Sequence, residues 1–266
     1  MNVRRVSLFT AMAVLAVVML YPFWFMLDNA FRSATQFEQG GGHSLEGWRT
    51  LFDTIPILRQ LANSLLVCAV SIAIILVIST TAGFAFAKLG FRGSTVALTA
   101  VIAAMMVPLQ SIILPEYVNL SGLHLVGNYT GAILVYAALG TPFATFLMTT
   151  YFRGLPDELI EAAVVDGFGY IRIFQRIALP LAKPAIVTVI VLQFIQIWCD
   201  LLVGLLFLQD PSQRTITVGL AALAAGRTTS IPALMAGSLV SSVPAIVVYL
   251  TFQRRLISGL TLGMGK

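Results

Sequence analysis

The residue types able to do chemistry are concentrated in two short stretches. In Gly154–Pro184, Asp157, Glu158 and Glu161 share one arc of about 100° if the chain turns helical. Pro156 suits the first turn of that helix, where its missing N–H costs nothing. The carboxylates behind it favour the positive end of the helix dipole. Ala162 and Ala163 permit close backbone approach, and Gly167 suits a left-handed residue that ends the helix. A second short helix is predicted from about Gly169 to Leu179, stopping before Pro180. It carries Ile171, Phe174 and Ile177 at three-residue spacing and Arg172 with Arg176 as an i, i+4 basic pair. From the residues alone, this helix–turn–helix is either a docking element or an amphipathic loop packed on its neighbours. In the other stretch, Gln193, Gln196 and Asp200 fall within about 60° of one helix face. Such a face offers donors and acceptors to a hydroxyl-bearing solute, or hydrogen bonds to adjoining helices. Gln110, Ser241 and Ser242 are weaker candidates of the same kind, and Pro108, Pro142 and Pro244 mark expected kinks.

Other chemistries lack their residues. Cys68 and Cys199 both sit in apolar runs, which predicts two small buried hydrophobes and no disulfide framework. His43 and His124 stand in loops with no Cys or carboxylate beside them in sequence, so no metal site is expected. A G-x-S-x-G serine nucleophile, an H-E-x-x-H zinc helix and a G-x-x-x-x-G-K-S/T phosphate loop are all absent from the sequence. An intramembrane enzyme is therefore disfavoured, and this chain has no ATP site of the usual kind.

The elements that must position these residues are long and apolar. Of 266 residues, 58% are hydrophobic and 10% charged, whereas a soluble domain carries about 25% charged residues. Crossing a bilayer core of about 30 Å takes about 20 apolar helical residues. Six stretches qualify: about 6–27, 64–87, 95–115, 129–151, 184–208 and 233–252. Backbone groups in hydrocarbon must bond internally, so the expected fold is an all-α polytopic membrane protein with six transmembrane helices in a single domain, 1–266. The first span exceeds a signal-peptide core and reads as a retained anchor. The stretch Thr217–Gly226 is apolar but too short to cross, which suits a re-entrant or interfacial segment. Trp48, in the long loop Asp28–Asn63, suits an interfacial anchor.

Charge orients the spans. Arg4, Arg5, Lys88, Arg92, Arg153, Arg172, Arg176, Lys183, Arg254, Arg255 and Lys266 fall on one side, and Arg32, Arg49, Arg59, Arg214 and Arg227 on the other. Positive residues stay cytoplasmic, so both termini and the loop 152–183 are expected inside. An even number of spans requires the termini to share a side in any case.

The string Glu161-Ala162-Ala163, three residues, Gly167, nine residues, then Ile177, Leu179 and Pro180 resembles the EAA signature of importer-type ABC transporter permeases, and Asp166 before Gly167 also fits. A wider set of residues resembles the carbohydrate-uptake, maltose-transporter-type branch. Asn63-Ser64 opens the second span. Gly83 to Lys88 with Phe91-Arg92-Gly93 looks like the first cytoplasmic turn. Trp198-Cys199-Asp200-Leu201-Leu202 is similar to a W-N-D-x-L stretch, with Cys199 in place of Asn. Arg214 to Leu220, then Phe252 to Arg255 and Gly259-Leu260-Thr261, continue the likeness to the C-terminal end. Phe168-Gly169 departs from the family, which has Ala and a small polar residue there.

The resemblance implies a bacterial inner-membrane permease subunit that takes up a carbohydrate or related polyol delivered by an external solute-binding protein. It implies two ATPase subunits, which use ATP and Mg, and a second, related permease in a heterodimer. Glu161, Ala162, Ala163, Asp166, Gly167, Ile177, Leu179 and Pro180 would then form the coupling contact, and the tail near Gly265 would reach the ATPase. This chain itself would need no cofactor, metal or nucleic acid, only its partners, its solute and lipid. Two other readings are a permease of the same type for a non-sugar solute and an ion-coupled transporter or channel. The latter wants more buried ionisable groups than Asp200.

Overall fold

The computed structural model describes residues 3–226 and 230–261, with side chains over 7–226 and 230–253. All regular structure among them is helical. In chain order the helices are α1 (Val3–Ala30), α2 (Ala34–Gln39), α3 (Glu46–Thr54), α4 (Ile57–Lys88), α5 (Ser94–Ala104), α6 (Leu109–Gly122), α7 (Tyr129–Arg153), α8 (Asp157–Val165) and α9 (Tyr170–Ile173). A π-helical turn, Phe174–Ala178, leads into α10 (Leu179–Leu181), followed by α11 (Lys183–Cys199), α12 (Leu202–Phe207), α13 (Ile216–Ala224) and α14 (Ile231–Thr261). Arg227, the side chains of Arg4, Arg5, Arg254 and Arg255, and the tail 262–266 with Gly265 and Lys266 lie outside the described residues.

Among the described residues, four helices are long and apolar enough to cross a bilayer: Ser7–Ala30 within α1, α4, α7 and Ile231–Gln253 within α14. They match the first, second, fourth and sixth expected spans. The third is not one helix. Met105–Val107 leave the helical ladder, Pro108 is extended at ψ 135°, and α5 meets α6 at 96°. Proline lacks the N–H that would continue the helix and pushes Val107 out of α geometry. The fifth expected span is also broken. Asp200 is extended at ψ 136°, so α11 ends at Cys199 and α12 restarts at Leu202. A 71° bend separates Tyr170–Leu181 from α11.

The chain forms two compact units, 1–59 with 218–243 and 60–217 with 244–266. In the first, Leu51 is fully buried, and a Cβ on Gly47 would lie 2.9 Å from Pro232 Cβ. The Phe31 and Trp48 rings pack at 5.6 Å. Asp28 joins Arg32 at 2.6 Å and His43 at 3.0 Å, so His43 has a carboxylate partner that its sequence neighbourhood did not reveal.

In the second unit α4 and α7 pack closely. A Cβ on Gly83 would stand 2.8 Å from Met148 Cβ and 3.0 Å from Thr149 N. Phe84 meets Phe152 edge-on at 5.7 Å and Phe174 at 5.3 Å, which joins α4, α7 and the π turn in one aromatic core. Cys68 is buried as expected, but Cys199 is exposed. It is the last residue of α11, just before the break at Asp200.

Candidate functional site

The segment between α7 and α11 folds as a helix, a tight turn and a second helical run. α8 opens at Pro156 with Asp157 and Glu158 in its first turn. Ile160 and Ala163 are buried, while Glu161, Ala162 and Asp166 are exposed. Gly167 follows with φ +80°. Its N–H donates to Val164 O at 2.9 Å, and the N–H of Phe168 donates to Ala163 O at 2.9 Å. These two bonds, one spanning six residues and one spanning four, make a Schellman cap around a left-handed residue. Phe168 therefore fits the turn despite departing from the family pattern. Its ring also lies 5.5 Å from the Arg172 guanidinium.

The second helical run departs from expectation in two ways. It does not stop before Pro180 but passes through it to Leu181. The π turn explains how: with Leu179 N–H bonded five residues back to Phe174 O, the ladder widens before the proline ring must be accommodated. The buried face is also shifted. Ile173 and Ala178 are fully buried and Phe174 half-buried, whereas Ile171 is 75% exposed. Of the coupling residues, Ile177 and Leu179 are half-buried and Pro180 is exposed, on this second run and away from the α8 tip.

The segment is tied to its neighbours by polar bonds. Tyr151 OH donates to Leu181 O at 2.8 Å. Lys88 Nζ, at the end of α4, donates to Leu155 O at 2.6 Å and Asp157 Oδ1 at 2.5 Å. In the sequence Lys88 counted toward topology and toward the resemblance of Gly83 to Lys88 to a first cytoplasmic turn, not as a partner of this segment.

Gln193, Gln196 and Asp200 do share a face, and all three line one cavity of about 40 Å³ with Tyr136 and Gly140. That is room for water and not for a sugar ring. Gln193 is buried with Nε2 3.5 Å from Gly140 O, and Gln196 is exposed. Asp200 Oδ1 accepts from Tyr136 OH at 2.9 Å and from Val203 N–H at 2.9 Å, so it caps α12 at the break. Gln196 also borders a larger cavity of about 500 Å³ between α5, α6 and α7, lined mainly by apolar residues such as Met105, Ile112 and Pro142. Tyr136 was missed in the sequence. Its partner is 64 residues away, and a tyrosine in an apolar run carries no local signal. Among the weaker candidates, Ser242 Oγ donates to Leu239 O of its own helix, and Gln110 is exposed.

At the opposite end of α4, Asn63 Nδ2 donates to Ser212 O and Arg214 O at 3.1 and 2.9 Å, and Tyr129 OH donates to Asn63 Oδ1 at 2.8 Å. Ile216 N–H donates to Ser64 Oγ at 2.9 Å. Asn63-Ser64 thus fastens the segment that enters α13.

Fold and site define a class: an all-helical, multi-pass membrane protein with a capped helix presented between two apolar segments. Residues 77–261 match the family of binding-protein-dependent transport system inner membrane components, and the chain belongs to that family. It is 31% identical to the arabinooligosaccharides transport system permease protein AraQ of Bacillus subtilis, over 98% of this chain and 96% of that one. It is 29% identical to the maltodextrin transport system permease protein MdxG of the same organism, over 99% and 96%. In fold it is similar to a chain of a bacterial ABC transporter involved in importing the acidic polysaccharide alginate, with a TM-score of 0.82, 20% identity, and 95% and 96% of the two chains covered.

Proposed function

We propose that the chain is a single permease domain of an ATP-driven importer, with six spans and both termini cytoplasmic, which passes a carbohydrate or related polyol across the bacterial inner membrane. α8 with its Schellman cap carries the reading: a short stiff helix, acid-rimmed and exposed along Glu161, Ala162, Val165 and Asp166, suited to a cleft on another protein. The relatives named for arabinooligosaccharides and maltodextrin support a saccharide as the solute. Two ATPase subunits hydrolyse ATP, using Mg, and α8 docks in a cleft on the ATPase. A related permease completes a heterodimer, and an external binding protein delivers the solute. Glu161, Ala162, Ala163, Asp166 and Gly167 make the coupling contact, with Ile177, Leu179 and Pro180 shaping the arm behind it. Gln193, Gln196 and Asp200 border the solute path.

The test is uptake of radiolabelled mono- and oligosaccharides by proteoliposomes holding this chain with its co-encoded permease, ATPase and binding protein. Uptake that requires enclosed ATP and the binding protein is expected. Uptake that persists without ATP and follows an imposed ion gradient would overturn the proposal.

A further inference from the structure

We infer that Lys88 is a positioning residue that locks the end of α4 to the entry of α8, so that displacement of α8 moves α4. The inference rests on the function proposed above. The Lys88 side chain is 3% exposed, while that of Asp157 is 78% exposed. A lysine does not bury its ammonium for packing alone; it needs bonded partners. Here one partner is Asp157 Oδ1, in the first turn of α8, and the other is Leu155 O, in the two-residue turn that joins α7 to Pro156. That carbonyl lies between two helices, beyond the ladder of either. One ammonium thus holds the carboxylate at the tip of α8 and the backbone leading into it. The charge also sits at the negative end of the α4 dipole.

An open groove of about 500 Å³ runs beside this joint, bordered by Lys88, Asp157, Ile160, Glu161, Val164 and Tyr170. Apolar contact beside the joint is therefore incomplete, and the two ammonium bonds lie at its edge. Replacing Lys88 by Met keeps the stem and removes both bonds. Asp157 then rehydrates, and α8 can shift without pulling α4.

The experiment uses the full complex in proteoliposomes, with wild type, Lys88→Met, Lys88→Arg and Asp157→Asn. Three quantities are read: ATP-driven uptake of the saccharide that wild type transports, ATP hydrolysis with and without solute-loaded binding protein, and the ATPase that co-purifies. For Lys88→Met, uptake is expected to fall at least tenfold, with hydrolysis within twofold of wild type and no longer stimulated by the binding protein. Lys88→Arg should keep at least half of the uptake. Asp157→Asn should lose two- to fivefold, because the bond to Leu155 O survives. Uptake and stimulation within twofold of wild type in Lys88→Met would overturn the inference. So would a loss of uptake that simply tracks loss of the co-purifying ATPase, which is assembly and not transmission. If Lys88→Met fails to insert, Asp157→Asn decides, and full uptake with full stimulation overturns the lock. Wild-type uptake indifferent to ATP overturns the function itself, whatever the variants do.

Discussion

At Gly167 the chain needs only a backbone angle. Its φ is +80°, and a Cβ built there would meet nothing within 4 Å. An L-residue held left-handed costs about 1–2 kcal/mol, less for Asn and more for a β-branched side chain. Gly167→Val is therefore expected to insert but to keep less than a tenth of wild-type uptake, while Gly167→Asn keeps more than half. Uptake assays with quantified membrane protein check both. Loss in Asn as well would mean that a partner's close approach, not the angle, demands glycine. Asp200 allows a similar separation. Asp200→Asn retains an acceptor for Tyr136 OH and Val203 N–H, whereas Asp200→Leu strands the tyrosine hydroxyl at a cost of about 1–3 kcal/mol. The Leu variant should unfold at lower temperature in detergent and the Asn variant near wild type. If Asp200→Leu and Gln193→Ala both transport normally, neither residue borders the path. Sequence pattern found Asp200 because an acid in an apolar run is anomalous. It could not find Tyr136 or the role of Lys88, since each acquires meaning only from a partner more than 60 residues away.

Helices α1, α4, α7 and α14 were legible because hydropathy and length coincide in them. The third and fifth spans were legible as apolar stretches, with a kink expected at Pro108 but not a bend as sharp as 96°, and with no break expected at Asp200. Apolar residues continue on both sides of Pro108 and of Asp200, and a hydropathy window does not sense a bend or a break inside it. Pro180 misled in the opposite direction, because the π turn before it lets helix pass where a stop was expected. Packing of whole elements depends on small residues that hydropathy also ignores. Gly83 lets α4 lie against Met148 and Thr149 of α7. A Cβ there would press on backbone at 3.0 Å, and backbone of a packed helix cannot turn aside as a side-chain tip can. Gly83→Ala should therefore part the two helices and destabilise by about 1–3 kcal/mol, as overpacked cores do. A fall in the thermal midpoint of the detergent-solubilised protein is the expected result. An unchanged midpoint would mean that the α4–α7 contact yields without cost.

At the scale of the molecule, the bent pair α5–α6 decides the topology. Lys88 at the end of α4 bonds Leu155 just past α7, and Asn63 near the start of α4 bonds Tyr129 at the start of α7. The two helices therefore run parallel, with like ends together. If α4 and α7 both cross the membrane in one direction, the chain between them must cross back, and only α5 and α6 lie in that interval. The same logic applies onward. Tyr151 near the end of α7 bonds Leu181, while Asn63 bonds Ser212 and Arg214 after α12, so on the same condition α11 and α12 together would also make one crossing. If α1 and α14 each cross once, as the proposed function has it, the count would be six and both termini would share the side expected to hold most of the Lys and Arg. Single cysteines in a Cys68→Ala, Cys199→Ala background test this with an impermeant maleimide on sealed cells. Cysteines at Glu38 and Gln209 should label at once, and those at Leu89 and Glu161 only after permeabilisation. A cysteine at Leu89 that labels with Glu38 while Glu161 stays protected would mean that α4 and α7 end on opposite faces. The Lys88 bonds to Leu155 and Asp157 could not then exist, and α5–α6 would dip into the membrane without crossing it.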